Sequence, residues 1–175
     1  DGFETYSFSI TQDTLDEPNE TIVFALSNPT EGTAIGSPAT FTVTITDDDV
    51  AGTLQFGSPT YSIPEAGGAA TITVTRTGGA ASAVTVLYET WAIAGTAAAG
   101  EDYTAVAGTL TFGAAETSKT FAVPILDDPT DETDETVVLR LTSPGGGGVL
   151  GAPSLATLTI TDDDPTGQIF RDGFE

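Results

Sequence analysis

The sequence predicts an all-β protein built from two packed antiparallel sheets, and three features of the chain lead to this prediction. Short runs alternate apolar residues with Thr, so that every second side chain points into a core. Gly and Pro separate these runs, as at Gly78-Gly79 and at Ser143-Pro144. No segment carries a helical stripe of apolar residues that would compete with the strand pattern. The chain therefore reads as many short strands joined by turns.

From Gly52 onward the chain contains about seven strand-like runs. In order, they cover residues 53–63, 70–77, 83–91, 103–112, 118–126, 136–142 and 155–161. Core-facing positions are clearest at Ile72 and Val74 and, further on, at Leu158 and Ile160. About seven short strands in roughly a hundred residues are typical of an immunoglobulin-like β-sandwich. We therefore expect an antiparallel two-sheet sandwich of this kind, in tandem repeat.

The tandem repeat is visible at an offset of 115 residues, where residues 1–49 align without gaps on 116–164 and share 20 identical pairs. By this alignment, residues 1–50 are the C-terminal half of one repeat and residues 51–166 are a complete domain. Residues 167–175 form a tail that could donate or link a strand to a neighbour. The half-repeat should supply three strands. Their inward-facing side chains should be Tyr6, Phe8, Ile10, Ile22, Phe24, Leu26, Phe41, Val43 and Ile45.

Composition excludes several functions. The chain has 26 acidic and only 4 basic residues, so it lacks the cations that displace counterions from nucleic acid phosphates. It contains no Cys, Met or His, which excludes thiolate or imidazole metal sites and imidazole catalysis. No apolar run reaches the roughly 20 residues of a membrane span, and no basic secretory signal stands at Asp1. We expect a mature or excised segment whose chemistry rests on oxygen ligands.

The acidic residues are concentrated in loops that recur in both repeats. If the strand ending at Leu126 runs up, the next strand runs down and the one ending at Thr161 runs up again. The loop from Asp127 to Glu135 and the triplet beginning at Asp162 then meet at the same end of the sandwich. Crowded carboxylates repel one another unless a cation lies between them, and Ca²⁺ takes six to eight such oxygens. The pattern therefore predicts calcium sites at the ends of the repeats.

At this point the sequence resembles the Calx-beta family, a calcium-binding sandwich, over residues 52–164 and, as a half-domain, over 1–49. The resemblance rests on five motifs taken together: Ser62-Ile63-Pro64-Glu65, Ala99-Gly100-Glu101-Asp102-Tyr103, Gly108-Thr109-Leu110-Thr111-Phe112, Ile125-Leu126-Asp127-Asp128 and Thr161-Asp162-Asp163-Asp164. It implies that the complete domain binds Ca²⁺ through Glu65, Asp102, Asp127, Asp128, Glu132, Glu135, Asp162, Asp163 and Asp164. A backbone carbonyl near Thr130 is a further ligand that the resemblance implies.

The chain departs from the family pattern in two places. Pro129 stands where exchanger members often carry a third loop Asp, which lowers the charge of the site. In the half-repeat, Gln12 replaces the residue equivalent to Asp127, and equivalents of Glu65 and Asp102 do not occur in this chain. We still expect a calcium site there, weaker or completed from elsewhere, with Asp13, Glu17, Glu20, Asp47, Asp48 and Asp49 as its ligands.

Three alternatives stand beside this interpretation. Acidic loops are often only solvated turns. A carboxylate pair could serve a glycoside hydrolase, but nothing in the sequence predicts a sugar cleft, so we expect no catalysis. The open half-repeat could instead be completed by strand exchange between identical chains, giving a head-to-tail filament. The leading expectation is a secreted or cell-surface adhesive array whose partners are neighbouring repeats or identical chains, with no nucleic acid partner and no membrane span.

Overall fold

The computed structural model describes residues 4–164, and the tail predicted at 167–175 lies outside the described residues. Its strands are β1 (Glu20–Ala25), β2 (Thr40–Ile45), β3 (Thr53–Phe56), β4 (Thr60–Pro64), β5 (Ala69–Thr77), β6 (Val84–Thr90), β7 (Ala107–Phe112), β8 (Ser118–Pro124), β9 (Glu135–Gly145), β10 (Val149–Leu150) and β11 (Leu155–Thr161). The helical element among them is a single 3-10 turn, Glu65–Gly67. Within residues 4–164, no helix has the length and apolarity to cross a bilayer.

The all-β sandwich prediction is confirmed for residues 51–164, the described part of the predicted domain 51–166, which we call the second unit. One sheet has the strand order β10-β3-β5-β8 and the other has the order β4-β11-β9-β6-β7. The alternating apolar residues of both sheets meet in one core, where Ile72, Val74 and Leu139 have no exposed surface. Tyr88 of one sheet stacks on Phe121 of the other, with ring centroids 4.0 Å apart. Burial of this apolar surface holds the two sheets together.

Several details of the second unit differ from the prediction: it has nine strands, β3 to β11, where about seven were expected, and the run expected at 103–112 is a strand only from Ala107. The run expected at 53–63 is two strands in different sheets, because Gly57-Ser58-Pro59 interrupts the ladder and sends β4 across to the second sheet. The sandwich is also not purely antiparallel. β4 pairs with β11, and the short β10 pairs with β3, in parallel register. Because β4 and β11 are parallel, their C-terminal ends lie side by side at the same end of the sandwich, and the site described below is at that end.

The first unit, residues 1–50, copies part of the second unit. Its β1 and β2 pair antiparallel from Glu20 opposite Ile45 to Ala25 opposite Thr40. At the offset of 115 residues, this is the register in which β9 pairs with β11, from Glu135 opposite Ile160. The same sequence pattern therefore builds the same strand pair twice.

The prediction of a third strand in the first unit is wrong for the described residues. No strand is found between residues 4 and 19, and the aromatic side chains expected to face inward are open to solvent, with Tyr6 89% exposed and Phe41 67% exposed. The counterpart of this segment is β8, which forms its ladder with β5. The aligned residues of the first unit include no counterpart of β5, so among the described residues this segment has no neighbouring strand to take its backbone hydrogen bonds.

Candidate metal centre

Glu65 lies where β4 ends and the 3-10 turn begins. Thr161, the last residue of β11, pairs with Pro64 in the parallel register, so Glu65 and Asp162 leave their strands side by side. Carboxylate oxygens of Glu65, Asp162 and Asp164 lie within 4.8 Å of one another. Glu65 is only 5% exposed, although it is acidic. Such a side chain is almost never buried without a compensating charge or hydrogen bonds.

A second group of acids lies at the same end of the sandwich. Carboxylate oxygens of Asp102, Glu132 and Glu135 also come within 4.8 Å of one another. Glu135 opens β9 opposite Ile160 of β11, which places it beside the point where the Asp162 triplet begins. Charges of both Asp102 and Glu65 act on Glu135, so the two groups are electrostatic neighbours.

The loop that carries Asp102 is tightly held by main-chain hydrogen bonds. The N–H of Asp102 donates to the carbonyl of Ala98 over 3.0 Å, and the N–H of Ala98 donates back to the Asp102 carboxylate. The carbonyl of Asp102 accepts a 2.9 Å bond from the N–H of Leu126. The next residue, Tyr103, is buried at 1% exposure and bridges to Ile125. Asp102 is thus fixed against the start of the long acidic loop.

That loop is in turn tied to the triplet. The N–H of Glu132 donates to a carboxylate oxygen of Asp162 over 3.3 Å, and the N–H of Ala66 donates to Asp163 over 3.3 Å. The Asp128 carboxylate accepts the N–H of Thr130 over 2.8 Å. Hydrogen bonds from the side chain of Thr130 and then from this N–H lower the pKa of Asp128. Asp127 lies near enough for its charge to act on Asp164. All nine residues predicted in the second unit therefore lie at one end of the sandwich.

The electrostatics of this end are strongly unfavourable for bare carboxylates. Burial raises the pKa of Glu65, and the charges of Asp128, Glu132 and Asp164 add to that rise, whereas a backbone hydrogen bond from Asp128 opposes it. The pKa of Glu135 is raised to about 7, first by burial, then by a side-chain hydrogen bond with Asp102, and then by the charges of Asp102, Glu132 and Glu65. The pKa of Glu132 is also raised, first by burial and then by Asp128.

None of the basic side chains in the described part of the chain relieves this repulsion. Lys119 pairs with Glu116 at 2.9 Å, and Arg140 pairs with Glu89. Arg76 is buried and donates to main-chain carbonyls, among them that of Ala51. The acids at the end of the second unit thus have no positive partner among residues 4–164.

One oxygen atom indicates the kind of group that this end of the sandwich could hold. Oδ2 of Asp164 is buried and has no hydrogen-bond partner among the described residues. Burial raises the pKa of this carboxylate, and the nearby charges of Asp162, Asp127, Asp163 and Asp128 raise it further. A buried polar atom left without a hydrogen bond is unfavourable and calls for an explanation, such as an ion. The donor set around it consists of carboxylate oxygens, which fits a hard cation.

The first unit gathers its acids less tightly. Asp13, Glu17, Glu20, Asp47, Asp48 and Asp49 line a single cavity of about 330 Å³. Burial raises the pKa of Asp49, with added contributions from the charges of Asp47, Asp48, Asp13 and Asp16. Among residues 4–164, however, the three-carboxylate groups that close within 4.8 Å belong to the second unit. The side-chain amide of Gln12 donates to Asp48 over 3.0 Å. Because this neutral amide occupies the position of Asp127, the first unit lacks the negative charge that the second unit has there.

Sequence reasoning missed Asp134. Its carboxylate accepts a 3.3 Å hydrogen bond from the N–H of Asp162, which fixes the start of the triplet. Its counterpart in the first unit is Asn19, whose amide oxygen accepts a 3.0 Å bond from the N–H of Asp47. The sequence contained a signal for this role, because the two repeats carry Asp in one copy and Asn in the other at this position. Both side chains offer an acceptor oxygen, whereas only Asp is charged, so the position needs the acceptor rather than the charge.

Comparison with known proteins agrees with this geometry. The Calx-beta domain matches residues 2–49 and again residues 47–164. The chain belongs to the Calx-beta family. The resemblance seen in the sequence is thereby confirmed, with one full domain preceded by a partial one.

Relatives of the chain include both exchangers and matrix proteins. Sodium/calcium exchanger 1 of Bos taurus is 38% identical over 129 residues, which cover 73% of this chain and 13% of the exchanger. Extracellular matrix protein 3 of Lytechinus variegatus is 39% identical over 160 residues, which cover 87% of this chain and 5% of that protein. The chain thus corresponds to a small part of these curated relatives.

Solved structures give the same family assignment. The apo form of the Calx CBD1 domain superimposes with a TM-score of 0.61 at 34% identity, covering 64% of this chain and 97% of that one. The calcium binding domain CBD12 of CALX1.1 matches with a TM-score of 0.60 at 34% identity, covering 63% of this chain and 44% of that one.

Proposed function

We propose that the second unit is a non-catalytic calcium-binding domain whose ion lies among Glu65, Asp102, Asp127, Asp128, Glu132, Glu135, Asp162, Asp163 and Asp164. The observation that carries this proposal is the buried Oδ2 of Asp164, which has no hydrogen-bond partner among the described residues and lies beside the nearly inaccessible carboxylate of Glu65. The two three-carboxylate groups at the same end support it. Similarity to a solved calcium binding domain supports the choice of metal.

Calcium suits this donor set better than magnesium. Ca²⁺ accepts six to eight oxygens at about 2.3–2.6 Å in flexible geometry, whereas Mg²⁺ requires a near-ideal octahedron and retains several waters. Here the carboxylates come from four separate segments: the turn after β4, the Asp102 loop, the long loop before β9 and the triplet after β11. Bound calcium would cancel the mutual repulsion of these acids and join the segments. The role of this chain's own residues is to hold the oxygens close together before the ion arrives.

The first unit would hold a weaker site made by Asp13, Glu17, Glu20, Asp47, Asp48 and Asp49. Their shared cavity supports this assignment, and the amide of Gln12 in the place of a carboxylate accounts for the lower expected affinity. Fewer charged ligands lower the affinity of a calcium site. We infer that the first unit is the C-terminal half of a repeat and the second a complete domain, so that an ion in the first unit lies near the junction between them.

We further propose that the parent protein is an extracellular structural or adhesive array in which calcium stiffens the junctions between repeats. Similarity to extracellular matrix protein 3 over 87% of the chain supports this location. Calcium outside cells is abundant enough to load modules with dissociation constants of about 0.1–1 mM.

Isothermal titration calorimetry of the whole chain with CaCl₂ tests the proposal. We expect at least one binding event in the wild-type chain and its loss in a Glu65→Gln, Asp164→Asn double variant. A Glu31→Gln variant is the matched control, because Glu31 is exposed and lies outside both acidic clusters. Equal calcium binding by the double variant and the control would contradict the assignment.

A second candidate function, self-assembly, is favoured by one observation. The first unit leaves a cavity of about 620 Å³ lined mainly by Tyr6, Phe8, Phe24, Leu26 and Phe41, all of them exposed. An apolar face of this kind marks an interaction site in soluble proteins. A second copy of the chain could cover it by strand exchange and continue head to tail as a filament, with residues 167–175 as the linking strand.

Sedimentation velocity across a wide concentration range with calcium tests the filament. Growth of larger species with concentration, and their loss on removal of residues 167–175, is expected if the tail links neighbouring chains. A monomer at every concentration, or assembly that persists without the tail, would contradict it.

A further inference from the structure

Arg76 is the most unusual charged residue outside the acidic clusters. It lies on β5, is only 2% exposed and forms no salt bridge within the described residues. Its guanidinium instead donates to main-chain carbonyls: Nε to Ala51 over 2.6 Å, Nη1 to Gly113 over 3.1 Å, and the remaining N–H groups to Ala81 and Ser82. The rigid fork of Arg suits several acceptors at once, whereas Lys would act as a point charge.

Three of these four carbonyls belong to two segments that meet at the junction of the units, and the fourth, that of Gly113, follows β7. Ala51 is in the connection between them, and Ala81 and Ser82 are in the loop between β5 and β6. The N–H of Ala81 also donates to the carbonyl of Val50 over 3.1 Å, and a side chain at Gly79 would collide with the same carbonyl. The connection is therefore fastened to the second unit along its length, and Arg76 lies beneath it.

The acidic loop of the first unit rests on the far side of the same β5–β6 loop. The N–H of Ser82 donates to the carbonyl of Thr14 over 3.0 Å, and the N–H of Asp16 donates to Oγ of Ser82 over 2.8 Å. The Asp16 carboxylate also lies so close to Gly147 that a Cβ there would be 2.5 Å from it. Ser82 thus bonds to the first unit while its own carbonyl is held by Arg76.

We propose that the loop at residues 78–83, shaped by Arg76, is a docking surface for the acidic loop of the preceding Calx-beta repeat, and that it sets the orientation between repeats. The inference deepens the proposed function and rests on it for the role of the ion. The Asp13 carboxylate accepts the N–H of Leu15 over 2.9 Å, within the turn that presents Thr14 and Asp16. A cation held by Asp13 would therefore steady the groups that contact Ser82.

Distances between spin labels test this surface directly. The chain has no Cys, so Val23→Cys in the first unit and Thr109→Cys in the second, both exposed, give a single labelled pair. With calcium present we expect a narrow distance distribution, and Ser82→Ala should at least double its width, because linked domains move freely when their interface is weak. Ser62→Ala, an exposed serine on β4, is the matched control and should leave the width unchanged.

A second variant tests the role assigned to Arg76. Arg76→Lys keeps the charge but loses the fork, and should broaden the distribution as Ser82→Ala does if the chain remains folded by circular dichroism. A wild-type width in Ser82→Ala would overturn the proposal. Calcium titration of the same samples distinguishes the docking surface from the calcium site. If Ser82→Ala broadens the distance distribution but no sample binds calcium, the docking surface is retained and the calcium site is rejected.

Discussion

The main-chain N–H of Asp162 donates to the carboxylate of Asp134 over 3.3 Å. The same bond recurs in the first unit, from Asp47 to Asn19 at 3.0 Å. Two further bonds repeat at the offset of 115 residues: Glu132 to Asp162 matches Glu17 to Asp47, and Thr130 to Asp128 matches Leu15 to Asp13. The chain therefore repeats a hydrogen-bonded loop as well as a set of acids.

This repeated bond leads to the first prediction. Asp134→Ala should weaken calcium binding about fivefold to tenfold, since the loss of one hydrogen bond costs about 1 kcal/mol and frees the start of the triplet. Asp134→Asn keeps the acceptor found at Asn19 and should stay closer to the wild type. Calorimetric titration measures both affinities. Equal losses in the two variants would mean that the charge of Asp134, rather than its hydrogen bond, is important.

Much of this site could be predicted from the sequence, because strand direction alone brings the loop before β9 and the triplet after β11 to one end. The position of Glu65 could not be predicted, because it depends on β4 crossing to the second sheet and pairing with β11. The sequence pattern predicted a single strand at 53–63 instead. The raised pKa of Glu135 depends on its burial and on its closeness to Asp102, which no sequence pattern reveals. The missing strand at Tyr6 and Phe8 has a similar cause, because alternation predicts a strand but not the neighbour that it needs.

The second prediction concerns Asp164. Asp164→Asn should raise the melting temperature in chelator, because it removes the charge of a carboxylate whose buried Oδ2 has no hydrogen-bond partner among the described residues. The same change should reduce the stabilisation by calcium, because a ligand is lost. Thermal melts with calcium and with chelator measure both effects. A fall in melting temperature under both conditions would contradict the assignment of this oxygen to a metal.

The third prediction follows from Glu135, whose pKa in the folded chain is raised to about 7 from its ordinary value of 4.5. Between these values the folded state binds more protons than the unfolded state, so the stability of the calcium-free chain falls as pH rises from 4.5 through 7. Melts in chelator at several pH values should show this decline, and Glu135→Gln should flatten it. A calcium-free chain that becomes more stable over this range would contradict the shift.

The fourth prediction is that calcium affinity, unlike the stability of the calcium-free chain, increases as pH rises. Because the ion requires ionised carboxylates, the affinity of the second unit should weaken by up to about tenfold per pH unit below the pKa of Glu135. Titrations on either side of neutral pH, with Glu135→Gln as the reference, measure the effect. An affinity that is independent of pH would show that Glu135 is not a ligand.

The fifth prediction concerns the weaker first site. Gln12→Asp restores the carboxylate found at Asp127 and should strengthen calcium binding there, while it destabilises the calcium-free loop through repulsion with Asp48. Gln12→Ala separates these effects, because it loses the 3.0 Å bond to Asp48 without adding charge. Calcium titration of both variants in a Glu65→Gln, Asp164→Asn background isolates the first site. Equal affinity in the two variants would contradict the assignment of a calcium site to the first unit.

The central claim, that the acidic ends of these repeats are calcium sites, is tested most directly by differential scanning calorimetry of the whole chain in chelator, in magnesium and in calcium. Calcium at a hundredfold excess over the dissociation constant of one site should add about 2.7 kcal/mol to the free energy of unfolding, with a corresponding rise in melting temperature. Magnesium at the same concentration should add much less. Equal rises with both ions would contradict the claim and reduce the acidic loops to screened surface charge.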